Sequence, residues 1–245
     1  MTEATTFLTH LRELKRRILI CVAVTLITSI IGYIFYHAIV DFLSQPISSL
    51  GTITQNKTLF YVTTIFEGFI VRIKFSLLAG LVMSTPVYLY HILAFVLPGL
   101  HIRETRLIQY SLAASTLLAI FGFYLCYFRL IPYSIQFLMS LDFIPKNVGI
   151  LLQYNQSLSF VFEFILWTML VFQFPIVLEA LLYLNILSRK TLMRYSRFAV
   201  VLIFITAGAI TPGPDITSQI GVALPMIIFF YLTILIAKIC RFGEG

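Results

Sequence analysis

Charged residues are scarce in this chain: only 11% of its 245 residues are charged, whereas 60% are hydrophobic. Residues 18–40, 75–97 and 107–128 contain no Asp, Glu, Lys or Arg at all. Each run is long enough to match the roughly 30 Å hydrocarbon core of a bilayer, which a helix of about 20 residues crosses. A soluble domain of this length cannot bury all three runs, so the sequence predicts an all-α, multi-pass membrane protein.

Cysteine is also rare, and its spacing argues against two kinds of site. Cys21, Cys126 and Cys240 are odd in number and far apart, so we expect neither a disulfide framework nor a metal site. The four histidines show no i, i+4 pairing. The chain also lacks a Ser/His dyad at helical depth, a His-Glu-x-x-His motif and a glycine-rich phosphate loop. We therefore predict that the protein is not an enzyme and uses no cofactor.

Proline and glycine divide the remaining apolar sequence. Residues 198–237 contain one charge, within Thr211-Pro212-Gly213-Pro214-Asp215, which cannot continue a helix. A tight turn is therefore expected between two short final helices, the fifth and the sixth. The fifth helix reaches only about 21 Å. Pro86 and Pro175 either are tolerated within their spans or bend them into a concave wall. The predicted spans are residues 18–40, 69–97, 107–128, 157–187, 198–211 and 218–237.

Lysine and arginine are distributed unevenly between the two sides that six spans define. They concentrate in the N-terminal segment, in residues 103–106 and 189–197, and in the C-terminal tail. Arg72 and Lys74, at the start of the second span, lie nearer the opposite side. By the positive-inside rule, both termini face the cytoplasm, or the matrix or stroma of an organelle. The net charge of +7 therefore follows topology and does not indicate nucleic-acid binding.

Two of the ten acidic residues, Glu13 and Glu104, are placed among bases on the terminal side. Glu13 lies in an amphipathic segment, residues 1–17. This segment suits an interfacial anchor whose bases contact anionic lipid, but such lipid repels Glu13. Glu104 precedes the third span, where a carboxylate also interacts favourably with the helix dipole. Because carboxylates bind guanidinium groups bidentately, the pair favours a site for a cationic ligand.

Short motifs follow one another from His10 to about Lys238. They are His10-Leu11-x-Glu13-Leu14, Ser44-x-Pro46, Phe69 followed by Lys74, Ser84-Thr85-Pro86 with Tyr90, Phe95-x-x-Pro98-Gly99-Leu100 with Glu104, Tyr127 with Pro132, Leu158-Ser159-Phe160, Phe172-x-x-Pro175, and Thr211-Pro212 leading to Asp215-x-x-Ser218-Gln219. In this order and at these spacings they resemble the TatC family, the multi-spanning receptor subunit of the twin-arginine protein translocase.

The resemblance implies a six-helix, glove-shaped concave bundle whose cytoplasmic face binds the paired arginines of signal peptides on folded precursor proteins. On this basis the expected signal-peptide-binding residues are Glu13, Lys15, Arg16, Arg17, Phe95, Pro98, Leu100 and Glu104. The expected contacts to a partner helix are Pro86, Tyr127, Gln173 and Pro175. The expected structural turns involve Pro46, Pro212, Asp215 and Gln219.

The implied partners are small single-span subunits of the TatA and TatB type, further TatC copies and the lipid bilayer, with the proton-motive force driving transport. The chain departs from many relatives at two of these positions. Lys15 replaces an arginine and loses its planar fork. Gln173 replaces a membrane-embedded glutamate. Because an amide donates and accepts hydrogen bonds but does not titrate, we expect Gln173 to bind a partner helix without a proton cycle.

A proton-coupled small-solute transporter is the alternative function. That class places ionisable groups near the middle of the bilayer and is often built from internal repeats. The deep polar candidates here, Gln173 and Glu163, are few and unpaired, and no repeat is evident. The sequence leaves open whether the membrane is a bacterial cytoplasmic membrane, a mitochondrial inner membrane or a thylakoid membrane.

Overall fold

The structure, a computed structural model, describes residues 2–54, 60–96, 105–140, 151–184, 186–211 and 216–239. Within these ranges the chain is helical apart from short turns and two short strands. The elements are α1 (Thr2–Ile34), α2 (Tyr36–Thr54), β1 (Phe60–Tyr61), α3 (Glu67–Met83), α4 (Thr85–Val96), α5 (Thr105–Leu125), a π-helical turn (Cys126–Leu130), α6 (Ile131–Ser140), β2 (Leu152–Gln153), α7 (Tyr154–Val171), α8 (Phe174–Tyr183), α9 (Arg189–Arg194), α10 (Ser196–Ile210) and α11 (Ile216–Ile239).

Apolar helices coincide with the predicted spans. Over the described residues, four segments are long and apolar enough to cross a bilayer: Leu11–Ile34, Gln109–Leu138, Tyr154–Tyr183 and Ile216–Ile239. α3 and α4 are long and apolar enough when taken together, with a bend of 50° at their junction. α10 is apolar but has only 15 residues, or about 22 Å, which confirms that the fifth apolar helix is short.

Several boundaries differ from the predicted ones. The N-terminal segment continues into the first span as one helix of 33 residues, because no proline or glycine precedes Gly32. The third span continues past residue 128 through the π-helical turn into α6. The prediction of a short sixth helix is wrong: α11 has 24 residues, or about 36 Å. Its apolar run continues to Lys238, and Pro225 is accommodated inside the helix.

Pro86 and Pro175 each follow a break between two helices. α3 ends just before Ser84, and Pro86 is the second residue of α4. α7 ends before Phe172, and Pro175 is the second residue of α8. Proline suits the first turn of a helix because the N–H that it lacks has no helical partner there. The two prolines therefore begin the second halves of the second and fourth spans.

The chain forms two compact units, which we describe separately. Unit 1 comprises Met1–Ile39 and Phe66–Thr116, and unit 2 comprises Val40–Ile65 and Leu117–Gly245. Unit 1 contains α1, α3 and α4. Unit 2 contains most of α2, together with the helices from α6 to α11.

In unit 1, α1 and α3 pack closely because small residues line their contact. A Cβ atom on Gly80 would lie 2.6 Å from the backbone nitrogen of Ser29 and 2.8 Å from its Cα. A Cβ atom on Gly32 would lie 2.9 Å from the carbonyl oxygen of Ser76. Lipid tails are as apolar as leucine, so van der Waals packing at such small residues holds membrane helices together.

Hydroxyl groups bond along the same contact. The carbonyl oxygen of Gly80 accepts hydrogen bonds from Thr28 Oγ1 at 2.9 Å and from Ser84 Oγ at 2.7 Å. The Thr28 and Ser84 hydroxyls lie 2.9 Å apart, and the hydroxyl of Thr25 bonds to that of Tyr88. Ser84 is fully buried where α3 gives way to α4. These hydroxyls supply polar contacts beside the bend, where the regular helix is interrupted.

In unit 2, Pro46 lies inside α2, so the prediction that it forms a turn is wrong. A proline lacks the N–H that would bond to the carbonyl four residues earlier, which here belongs to Phe42. The hydroxyl of Tyr127 supplies the missing donor, at 2.7 Å from the Phe42 oxygen, and lies 3.1 Å from Gln45 Oε1. The rings of Phe42 and Tyr127 stack with centroids 4.0 Å apart. A distant side chain thus allows α2 to continue through its proline.

The break between α10 and α11 falls where the two prolines and the glycine predict it, although Pro212 and Asp215 lie outside the described residues. Gln219 was expected at this turn but belongs to α11. Its Nε2 donates to the carbonyl oxygen of Phe204 at 3.0 Å, which joins α11 to α10. Gly208 leaves room for the amide, since a Cβ atom there would lie 2.8 Å from Gln219 Nε2.

Aromatic rings fill part of the core of unit 2. Phe172, at the break between α7 and α8, is fully buried. Its ring contacts those of Phe121 and Phe229, with centroids 5.9 Å and 5.7 Å away. Outside the helices, β1 and β2 pair in parallel, with Phe60 opposite Leu152. The break in the fourth span is therefore packed against α5 and α11.

Gly80→Ala tests the close approach of α1 and α3. The added methyl group meets the backbone of Ser29, so the helices must separate, and we expect a loss of about 1–3 kcal/mol in unfolding free energy. Gly68→Ala is the matched control, because a Cβ atom there meets nothing within 4 Å and alanine favours the helix. Denaturant unfolding in detergent measures both variants. Equal stability of the two would contradict the close contact.

Tyr127→Phe tests whether the hydroxyl replaces the donor that Pro46 lacks. We expect a loss of about 1–3 kcal/mol, because the Phe42 carbonyl loses its donor. In a Pro46→Ala background the loss should shrink, since the alanine N–H restores the helical bond. Tyr124→Phe is the matched control. Tyr124 is a half-exposed tyrosine at the end of α5, so its replacement should change stability little. Additive losses in the double-mutant cycle would show that the two residues act independently.

Candidate functional site

The first candidate site lies near the N-terminal end of the first span. Glu13 Oε1 forms an ion pair with Arg17 Nη2, one helical turn further along α1. The side chain of Glu13 is 44% exposed, whereas that of Arg17 is 18% exposed. Arg17 Nη1 also donates to the backbone carbonyl of His91 at 3.0 Å. One guanidinium group therefore connects the carboxylate on α1 to α4.

The α4 side of this contact lies one helical turn from a second predicted site residue. His91 and Phe95 are four residues apart in α4 and so lie on the same helix face. Phe95 is half-buried near the end of α4. The carboxylate is therefore held beside the helix that leads into residues 97–104. Pro98, Leu100 and Glu104 belong to that segment and lie outside the described residues.

The three bases predicted for this site differ in their surroundings. Lys15 and Arg16 are exposed on α1. Arg17 is engaged within the chain, where it orients Glu13 and binds the α4 backbone. An exposed i, i+4 ion pair of this kind contributes only about 0.3–0.5 kcal/mol.

The second candidate site is a cavity of about 400 Å³ in unit 2, among α7, α8, α10 and α11. Its lining is apolar except for two side chains, Gln173 and Thr206. Gln173 Nε2 donates to the carbonyl oxygen of Met169 at 3.4 Å, and Thr206 Oγ1 donates to that of Leu202 at 2.8 Å. The lining residues are Leu170, Val171, Gln173, Phe174, Val177, Ala199, Leu202, Ile203, Thr206 and Met226. The cavity thus offers an apolar recess with an amide at its wall.

The other residues predicted to contact a partner helix are placed differently. Pro175 is buried, two residues from Gln173, and Pro86 is exposed in unit 1. Tyr127 is only 4% exposed, and its ring and hydroxyl contact α2 of the same chain. Tyr127 therefore packs within the chain and does not present its ring or hydroxyl to a partner helix.

Sequence reasoning missed two features of these sites. The spacing of Glu13 and Arg17 is visible in the sequence as an i, i+4 pair, which predicts an ion pair on a helix. Ala199 and Thr206 carry no comparable local signal, because the cavity exists only once α8 and α10 pack together. Among the described residues, no three His, Cys, Asp or Glu side chains lie close enough together to hold a metal ion.

Apolar helices, an exposed ion pair near the start of the first span and a recess among the later spans define a multi-pass membrane protein of a binding or transport class. A family model described as Sec-independent protein translocase protein (TatC) matches residues 9–225. The chain belongs to this family, as its motifs predict. It is thus a component of a membrane protein translocase.

Individual relatives match over nearly their whole length. The TatC protein of Carboxydothermus hydrogenoformans is 31% identical, over 96% of this chain and 94% of the relative. That of Rickettsia prowazekii is 31% identical, over 97% and 93%. A crystal structure of the twin-arginine translocase receptor TatC is 27% identical, with a TM-score of 0.77 over 95% of this chain and 99% of that one. A second, determined in DDM, gives a TM-score of 0.78.

Proposed function

We propose that this protein is the receptor subunit that binds the paired arginines of signal peptides on folded precursor proteins. The observation that carries the proposal is the exposed Glu13 carboxylate, which already holds one guanidinium group beside α4. Charge-assisted carboxylate–guanidinium bonds are strong and directional. A site that selects arginine over lysine uses the planar guanidinium group, which can bind a carboxylate bidentately.

In the proposed mechanism, the first signal arginine exchanges with Arg17 at Glu13. Arg17 keeps its bond to the His91 carbonyl, so the carboxylate is released without loss of the contact between α1 and α4. The second signal arginine binds Glu104. Phe95, Pro98 and Leu100 provide an apolar surface for the residues that follow the arginines. The chemistry is recognition only: no covalent bond forms or breaks.

We propose that the cavity at Gln173 receives the transmembrane helix of a small TatA- or TatB-type partner. A recess of about 400 Å³ that opens among spans admits large apolar side chains from such a helix. The amide of Gln173 can then bond to a polar group on the partner, as polar side chains do between membrane helices. Since an amide does not titrate, this contact recruits the partner without moving a proton. The proton-motive force acts elsewhere in the assembled translocase.

Glu13→Gln tests the receptor proposal. The variant keeps the size of the side chain but loses its charge. We expect the affinity for an Arg-Arg signal peptide to fall about tenfold, because a hydrogen bond to a charged group contributes about 1.5–3 kcal/mol. Fluorescence anisotropy of labelled peptides with the purified protein in nanodiscs measures this affinity. A Lys-Lys peptide should bind weakly to both forms.

Asp41→Asn is the matched control for this experiment. Asp41 is an exposed acid on α2, and it is not one of the predicted site residues. The Asp41→Asn variant should bind the Arg-Arg peptide as the unaltered protein does. Unchanged binding by Glu13→Gln, or equal losses in both variants, would rule out Glu13 as the arginine site.

Ala199→Leu tests the partner cavity. The larger side chain fills the recess, so we expect the co-purified amount of a TatA-type partner to fall several-fold while stability is kept. Gln173→Leu should weaken recruitment about threefold, since an interhelical hydrogen bond in membranes averages about 0.6 kcal/mol. Ala209→Leu, at an exposed position of α10 outside the cavity, is the matched control. Equal recruitment by the Ala199 and Ala209 variants would refute this site.

A further inference from the structure

Arg72 lies at the end of unit 1 that is opposite to the Glu13 site. The middle of α1 contacts the middle of α4 through Arg17 and His91. The last turn of α1 contacts the first half of α3, where Gly32 meets Ser76 and Tyr33 meets Arg72, whereas Ser29, earlier in α1, meets Gly80, later in α3. α1 and α3 therefore run antiparallel. Arg72, the sixth residue of α3, lies about 8 Å along the helix from its start.

Two tyrosine rings cover the guanidinium group of Arg72. Its Cζ lies 4.1 Å from the centroid of the Tyr33 ring and 5.5 Å from that of the Tyr36 ring. Tyr33 is 40% exposed, whereas Tyr36 is 7% exposed. Tyrosine is enriched where the hydrocarbon core meets the head groups, and arginine side chains near helix ends reach toward the same layer. The three side chains thus fit the leaflet boundary away from the termini.

The positive charge of Arg72 lacks a carboxylate partner in the part of the chain that the structure describes. Its Nε–H is buried and donates no hydrogen bond there. Glu67, five residues earlier on α3, lies about 140° around the helix. Cation–π contacts contribute about 0.5–2 kcal/mol but do not neutralise a charge. A guanidinium group at the edge of the hydrocarbon core therefore still needs an anion.

The surroundings of Arg72 favour one kind of anion. Phe69 and Ile73, on the same stretch of α3, are 62% and 39% exposed, as expected of side chains that face lipid tails. A guanidinium group stacked on rings keeps its terminal Nη atoms available in its own plane, in the geometry that binds phosphate bidentately. Phosphodiester groups of lipids lie at this depth, directly above the tails that cover Phe69 and Ile73.

We propose that Arg72, together with Tyr33 and Tyr36, forms a binding site for the phosphate of a phospholipid in the leaflet away from the termini. The terminal nitrogens bind the phosphate, the two rings hold the guanidinium plane, and the acyl chains lie along the exposed face of α3. The site is separate from Glu13 and from the Gln173 cavity. It anchors the end of unit 1 at which α1 passes into α2.

Arg72→Met tests this site by native mass spectrometry of the full chain released from nanodiscs made of phosphatidylglycerol and phosphatidylcholine. We expect the unaltered protein to retain one more phospholipid per chain than the variant. Arg72→Lys should retain it with affinity reduced about tenfold, because an ammonium group lacks the bidentate fork. Lys74→Met is the matched control, since it removes a charge two residues away and should keep the lipid.

Equal retention by the Arg72→Met variant and the unaltered protein would overturn the proposal. Tyr33→Leu removes a ring and keeps the charge of Arg72, so it should also weaken retention of the phospholipid. This variant replaces Arg72→Met in the experiment if Arg72→Met does not fold. Inorganic phosphate at millimolar concentration distinguishes the source of the anion. Persistence of the lipid supports a phospholipid site, whereas its displacement by phosphate would overturn the lipid assignment.

Discussion

The close approach of α1 and α3 at Gly80 is the constraint on which unit 1 depends. It places a backbone against a backbone at Ser29, so the spacing of the two helices is fixed by atoms that cannot move aside. A charged contact lies on either side of this point: Arg17 with the α4 carbonyl, and Arg72 with Tyr33. Small residues at this contact therefore set the spacing of the helices that carry both polar contacts.

Several of the few polar side chains bond to backbone carbonyl oxygens where the helices are irregular. Where Pro46 removes a donor from α2, the hydroxyl of Tyr127 replaces it. Where α3 gives way to α4, the hydroxyls of Thr28 and Ser84 bond to the Gly80 carbonyl, which also accepts a helical bond from the Ser84 N–H. Water is absent from the hydrocarbon core, so such groups must find partners within the protein. The polar residues of the spans therefore mark irregular backbone as well as functional sites.

Much of the fold could be predicted from the sequence because a bilayer imposes a length on every apolar run. The charge-free stretches locate the spans, and the sequence from Pro212 to Pro214 locates the last break. Pro46 was misread as a turn because its compensation comes from Tyr127, about 80 residues away in the chain. Gln219 was misplaced because its partner on α10 becomes apparent only after the helices pack.

The site was predicted less completely than the fold. The motifs predict Glu13 as a site residue, but a list of nearby bases does not separate Arg17, which bonds within the chain, from the exposed Lys15 and Arg16.

The bond between Tyr127 and the Phe42 carbonyl also constrains the order in which sequences of this kind diverge. Loss of the proline at position 46 first leaves the carbonyl with two donors and is permissive. Loss of the tyrosine first leaves it with none, so this mutational route costs stability that the other route does not.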